Sequence, residues 1–333
     1  MRIRVGWILI LLLIPVFCAG AQSQGSGGLF PVKSQGKVGF IDQTGKLLIQ
    51  PQFEKGREFS GNLGRVQIQG KWGFIDQTGK IIIQPQFDRN FDFADNRSLV
   101  LIGDNYGYID QTGKIVIKAQ YENAGNFSEG LALVMVGDDY GFIDPSGKLA
   151  IKAQFDDVRS FSEGLAPVKV GEKWGYVDKG GKIVIQPQFA WANPFSEGLA
   201  SIKLGEDFGF IDKTGKIVIK PQFGYAQSFQ QGLAPVSIDD KYGFIDPAFG
   251  GTGKVAIKER FGDAGKFSQG LAKVQLGRKW GYVDKTGKVV IKAQFDEAED
   301  FSRGLAQIGI GDEVNMEYGY IDPSGKYVWK PGQ

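Results

Sequence analysis

One short motif dominates this chain: aromatic-Gly-aromatic-Ile/Val-Asp-x-x-Gly-Lys, seen in full as Trp174-Gly175-Tyr176-Val177-Asp178-Lys179-Gly180-Gly181-Lys182. Its first glycine recurs at Gly39, Gly73, Gly107, Gly141, Gly175, Gly209, Gly243, Gly281 and Gly319, with six intervals of 34 residues and two of 38. A fixed period of this kind makes the whole chain one array of stacked units, however long it is. The two longer intervals come from expanded turns, Pro247 to Gly253 and Gly311 to Glu317. Insertions confined to turns leave the strands of a repeat scaffold in register.

A 34-residue period also suits paired helices, but the residue types reject them. The segments are rich in β-branched and aromatic residues, alternate with period two and carry an internal glycine. Each repeat predicts three strands, for example Leu165–Val170, Trp174 to Val177 and Lys182 to Phe189. In the first, Ala166, Val168 and Val170 share the expected core face, with Pro167 and Lys169 opposite. Asp178-x-x-Gly181 marks a tight turn: the carboxylate accepts from the turn's own amides and glycine takes the left-handed position. Proline stands at 51, 85, 187 and 221, where Ala119, Ala153 and Ala293 stand in other copies, so this point of the third strand is an edge or a bend. Phe195-Ser196-Glu197-Gly198-Leu199-Ala200 links to the next repeat, its phenylalanine expected as a plug beneath the loop.

The N-terminus has the pattern of a secretory signal over residues 1–21: Arg2 and Arg4, an apolar run from Val5 to Phe17, and Ala19-Gly20-Ala21 before the cleavage point. The run is too short for a membrane span. Acylation of Cys18 is the alternative, against which Phe17 stands where a small residue is expected. Residues 22–28 form a polar, glycine-rich leader, and residues 29–333 the array. The expected location is the periplasm, the cell surface or the exterior.

Export removes Arg2 and Arg4 from 39 basic residues against 37 acidic, leaving 37 of each. That balance excludes a strongly basic nucleic-acid binder. The chain has no histidine, and its one cysteine is Cys18. The exported chain thus lacks the usual base near neutral pH, and any thiolate or disulfide.

The copies Lys71-Trp72-Gly73-Phe74-Ile75-Asp76, Lys173-Trp174-Gly175-Tyr176-Val177-Asp178 and Lys279-Trp280-Gly281-Tyr282-Val283-Asp284 resemble the WG-repeat (KWG-repeat) family, found mostly in bacterial proteins. Tyr106, Tyr140, Phe208, Tyr242 and Tyr318 replace the tryptophan elsewhere, and Val38 stands in the first copy. The resemblance spans nearly all of residues 29–331 and implies a β-repeat scaffold with interaction roles and no established general activity. An all-β tandem array of about nine three-stranded antiparallel units follows, expected as an open solenoid or superhelix. A closed β-propeller is the alternative, disfavoured because propellers commonly have four to eight blades of four strands.

Three sets of residues are candidates for function. The aspartates Asp42, Asp76, Asp110, Asp144, Asp178, Asp212, Asp246, Asp284 and Asp322 each open the motif's turn. They read as turn caps rather than a carboxylate ladder for cations, and no Asp-x-Asp-x-Asp calcium loop occurs. The lysines after the turn glycine, Lys46 to Lys326, read as a solvated row. The aromatics Trp72, Tyr106, Tyr140, Trp174, Phe208, Tyr242 and Trp280 either pack between repeats or form a row that stacks on sugars or anchors peptides; Trp191 lies off that row. A glycan reader needs the row exposed on one face. No phosphate loop, nucleophile elbow or metal cluster is present, so neither cofactor nor metal is expected. The expected function is an exported, non-catalytic binding scaffold for a protein or cell-envelope polymer, with many weak contacts summed. Alternatives are a cell-wall glycan binder and, further off, a hydrolase using two carboxylates in one pocket.

Overall fold

The computed structural model describes residues 28–247 and 253–332. The expected signal segment, Cys18, the leader up to Gly27, and Ala248 to Thr252 of the first insertion lie outside the described residues. Among the described residues the fold is all-β, nine small antiparallel sheets in chain order. No helix there is long and apolar enough to cross a membrane.

One sheet shows the plan. Leu165–Val170, Lys173–Asp178 and Ile183–Phe189 form a meander, within a residue or two of the strands the sequence predicts. A fourth strand is added that the alternation does not announce. It is two residues long, Asp157–Val158, and pairs with the first strand as Asp157↔Lys169 and Val158↔Val168. It follows Phe155, the end of the preceding sheet's third strand, after one residue. The third strand of one blade therefore runs on as the fourth strand of the next, which is how 34 residues supply a four-stranded blade.

In this sheet the first and second strands are buried on both faces, whereas the third alternates between buried and exposed positions. Leu165 to Val168 and Trp174 to Val177 are buried without alternation, whereas Val170 is exposed. The expected division of the first strand into an inner and an outer face is thus corrected, because a blade between two blades has two inner faces. The clusters span junctions: Trp174, Tyr176, Ile185 and Phe189 pack with Ala192, Phe195, Ala200, Ile202 and Ile211 of the following blade. Phe195 is the plug, 4.9 Å from the Tyr176 ring centroid.

The array closes on itself, which corrects the open solenoid. Phe30, Val32 and Ile41 of the first sheet share a buried cluster with Leu305, Tyr320 and Trp329 of the last. Gln43 Nε2 donates to the Arg303 carbonyl across the junction at 2.7 Å, just as Lys285 Nζ donates to the Gln231 carbonyl within the array. Contacts of the repeat's own kind continue through the junction, and the molecule is a β-propeller of nine blades.

Candidate functional site

The motif glycine is held by close approach. Trp174↔Phe189 and Tyr176↔Ile185 are consecutive pairs two residues apart on one strand and four on the other, so the third strand bulges opposite Gly175. A Cβ on Gly175 would stand 2.4 Å from the Ile185 carbonyl oxygen and 2.7 Å from Pro187 N. All nine motif glycines face the bulging strand within 2.4–2.7 Å in this way. The prolines 51, 85, 187 and 221 sit in that bulged edge strand, as their missing N–H demands.

The aspartates close their turns. Asp76 Oδ1 accepts from the Thr78 amide at 2.9 Å, the Thr78 hydroxyl at 2.6 Å and the Lys80 amide at 3.1 Å. The same set recurs at Asp42, Asp110, Asp144, Asp212, Asp284 and Asp322, and Asp178 makes the two amide contacts. The Thr78 hydroxyl above all holds the Asp76 carboxyl below its ordinary range, with the same cause leading at Asp110, Asp212 and Asp284. Each carboxylate oxygen bonded in this way faces its own turn. Among the described residues no three His, Cys, Asp or Glu side chains gather as metal ligands do.

The aromatic row is not one open face. Trp174 is 3% exposed and Phe208 8%. Trp72, Tyr106, Tyr140, Tyr242 and Trp280 are half-buried, and Tyr318 alone of the row is exposed, at 47%. From Trp72 to Trp280 each ring lies opposite a third-strand aromatic, as in Trp72↔Phe87, Tyr140↔Phe155 and Trp280↔Phe295. Neighbouring side chains cover part of what remains: Asn123 Nδ2 donates to the Tyr140 hydroxyl, and the Lys273 ammonium lies 5.6 Å from the Trp280 centroid.

The row is extended outward at one place. The first position of the short fourth strand, or its equivalent, is Lys55, Arg89, Asn123, Asp157, Trp191, Tyr225, Asp263 and Glu297 in successive blades. Trp191 and Tyr225, in adjacent blades, are 40% and 41% exposed. Trp191 lies 6.2 Å from Trp174 with the rings tilted by 55°, and Tyr225 lies 5.4 Å from Phe208 and 6.3 Å from Tyr242. The Arg159 guanidinium sits 4.0 Å from the Trp191 centroid and 5.1 Å from Trp174. Sequence reading singles out Trp191 but passes over Tyr225; setting the copies at 34-residue offsets places Tyr225 one period after Trp191 and was the signal available.

Acidic side chains gather elsewhere. Glu54, Glu58, Glu297, Glu299 and Glu317 line a cavity of about 1220 Å³ between the ninth, first and second blades. Burial pushes the Glu58 carboxyl up despite nearby Arg303.

A closed ring of small antiparallel sheets, each locked by a glycine beneath a bulge and an aspartate-capped turn, defines a repeat-built propeller. The model of the WG-containing repeat matches residues 39–72, 72–106, 106–138, 140–174, 174–206, 208–242, 242–280 and 280–312, and the chain belongs to that family. No curated protein matches the sequence. Among solved structures, the chain is similar to Hsv2 of Kluyveromyces marxianus, at 10% identity and a TM-score of 0.44, covering 79% of this chain and 94% of that one. It is also similar to PorZ, a surface component of the type-IX secretion system of Porphyromonas gingivalis, at 12% identity and a TM-score of 0.33. That match covers 91% of this chain, which spans about half (51%) of PorZ. Likenesses this loose enter no argument below.

Proposed function

We propose that this protein is an exported, non-catalytic scaffold whose blades present one repeated surface to a protein or polymer of the cell envelope. The observation that carries the reading is the outward face of the third strands. Leu48, Ile82, Val184 and Val290 occupy the same register in four blades and are exposed, although aliphatic. Glutamine or lysine follows two residues on, at Gln50, Gln84, Gln186 and Lys292. Exposed aliphatic side chains repeated around a ring suit a partner that is itself repetitive, or one that spans several blades, where individually weak contacts sum. The polar groups of the motif are spent on turns and strand joints, and each is shared among copies, whereas a catalytic site is a constellation of different groups.

The test is capture of partners from the native envelope with the exported chain, repeated with Leu48, Ile82, Val184 and Val290 changed to serine one, two and four at a time. Graded loss of the captured partner is expected. Capture unaffected by all four changes would remove the basis of this reading.

A further inference from the structure

The fold does not need an aromatic residue at the start of the short fourth strand. Six other blades place Lys55, Arg89, Asn123, Asp157, Asp263 and Glu297 there. Trp191 and Tyr225 are therefore excess to the architecture, and each leaves about two-fifths of its surface in water, at 40% and 41%. Both are held in fixed orientations. Trp191 Nε1 donates to Asn193 Oδ1 at 3.1 Å, while Asn193 Nδ2 donates to Ser201 Oγ at 2.8 Å and Arg159 Nη1 approaches Asn193 Oδ1 at 3.3 Å. The guanidinium lies against the inner face of Trp191, and Tyr225 is wedged between Phe208 and Tyr242. Exposed, rigid and amphipathic rings carry recognition at low entropic cost.

Beside them is a cavity of about 360 Å³ walled by Tyr225 and Asn193. Its remaining lining is polar: Ser162, Ser196, Gln227, Ser228 and Lys266, joined by Pro194 and Phe195. Gln227 Nε2 is already committed to the Ala264 carbonyl at 3.1 Å, which turns its amide oxygen to acceptor duty. The site thus offers an aromatic wall, an amide acceptor, a serine hydroxyl and one ammonium group, with a second ring held next door through Asn193. An apolar peptide anchor would need a hydrophobic recess, which this lining does not supply. A nucleic acid would need a net positive field, but Arg159 lies over the Trp174 and Trp191 rings, and Lys266 is the one cation of the cavity lining.

We propose that Trp191, Tyr225 and the adjoining cavity form a saccharide-binding site, in which the apolar C–H face of one sugar lies on Tyr225 and that of a neighbouring sugar on Trp191. Ser228, the Gln227 amide oxygen and the Lys266 ammonium bond the hydroxyls or a carboxylate of the sugar in the cavity. The two rings belong to adjacent blades, with Lys266 contributed by the next, and the site is independent of the multivalent aliphatic surface proposed above.

The test titrates the full chain with cellohexaose, chitohexaose and hexaguluronate, followed by saturation-transfer NMR and calorimetry. Trp191→Asp and Tyr225→Asp copy the residues of sister blades, Asp157 and Asp263, so both variants fold, which circular dichroism at the titration temperature verifies, although the lost ring contacts lower the melting temperature slightly. Each is expected to weaken saccharide binding by roughly tenfold, the scale of one lost stacking contact. Trp72→Tyr, which copies Tyr106 and Tyr140, leaves binding unchanged. The proposal is overturned if none of the three saccharides binds at millimolar concentration. It is equally overturned if binding survives both aspartate variants, or if Trp72→Tyr weakens it as much as they do. Envelope capture that fails on the aliphatic variants but leaves saccharide binding intact separates this site from the scaffold reading.

Discussion

The junction between the fifth sheet and the sixth and the junction between the ninth and the first bury the same kind of ring pair by different means. Inside the array Tyr176 meets Phe195, which leads the link to the next blade, and Ala200 leaves room for it. Gly64 keeps that room in the second blade, where a Cβ would stand 2.4 Å from the Phe59 ring. At the closing junction the small-residue position, one period before Gly64, is Phe30. There the ring comes from the strand itself and not from a link: Phe30 reaches Tyr320 at 5.4 Å and is fully buried. The hydroxyls follow. Tyr176 donates to the Asn193 carbonyl at 2.8 Å, whereas Tyr320 donates to the Pro31 carbonyl at 3.1 Å. A repeat array that closes must rebuild its seam, and here a phenylalanine at the small-residue position does so.

Truncating either plug tests that equivalence with the largest expected effect. Phe195→Ala and Phe30→Ala should each cost roughly 3–5 kcal/mol in urea unfolding. Phe195→Ala lowers the midpoint of the single transition; Phe30→Ala additionally lets the ring open, seen as a larger hydrodynamic radius below the unfolding midpoint. Equal behaviour of both variants, with no expansion in either, would mean that the seam is no weaker than any other junction.

The motif glycines come next. Gly175→Ala forces a Cβ into backbone that continues into the next blade and should cost about 3 kcal/mol. A Cβ on Gly319 would stand 2.6 Å from Trp329 O, in a third strand of three residues, Tyr327–Trp329, where Gly175 faces one of seven, Ile183–Phe189. Gly319→Ala should therefore cost less, because a shorter ladder resists the displacement less. Thermal melts of the two variants decide the point; equal losses would show the last strand to be as firmly held.

Removing one hydroxyl is smaller. Tyr176→Phe and Tyr320→Phe should each lose about 1 kcal/mol, and a negligible loss for Tyr320→Phe alone would show that its bond to Pro31 adds nothing to closure. Smaller still is the ladder along the ring. The Glu163 carboxylate accepts from the Gly198 amide at 3.1 Å and pairs with Lys213 at 3.0 Å, both side chains being partly exposed. Lys213→Ala should cost about 0.5 kcal/mol, less in high salt.

Acid separates the two regions by sign. The turn aspartates have folded pKa values below 3.8, so their contribution is present above that value and lost as pH falls through the folded pKa. Glu58, beside the seam, and Asp300 are pushed up by burial, so their ionisation opposes folding near neutral pH and that cost is relieved as pH falls. Glu58→Gln should raise the melting temperature at pH 7, with the gain shrinking as pH approaches 4. A gain that persists unchanged at pH 4 would contradict this assignment of the charge.

Much of this architecture was readable in the residues. The period, the three long strands, the Asp–Gly turns and the edge character of the Pro187 strand all follow from local chemistry, and the structure places them as expected. What escaped depends on geometry that no local pattern carries. The fourth strand is two residues long and has no alternation to reveal it. Closure depends on a small rotation summed over nine blades, and its local trace, Phe30 at a position where the other blades carry glycine, serine or alanine, has meaning only once the ring is known. The bulge over Gly175 could have been suspected from a glycine within a strand opposite a proline, a pairing that points to close backbone approach. At the candidate site, Trp191 drew notice as an isolated tryptophan, while Tyr225 became visible only when exposure was compared across equivalent positions.

Closure is the claim on which the rest depends, and solution scattering of the repeat array, residues 28–333, tests it most directly. A closed ring of about 300 residues predicts a radius of gyration near 20 Å, with no long dimension in the pair-distance distribution. Strands added side by side without closure would extend toward roughly 130 Å at ~4.8 Å each, and a distribution reaching such lengths would contradict the propeller.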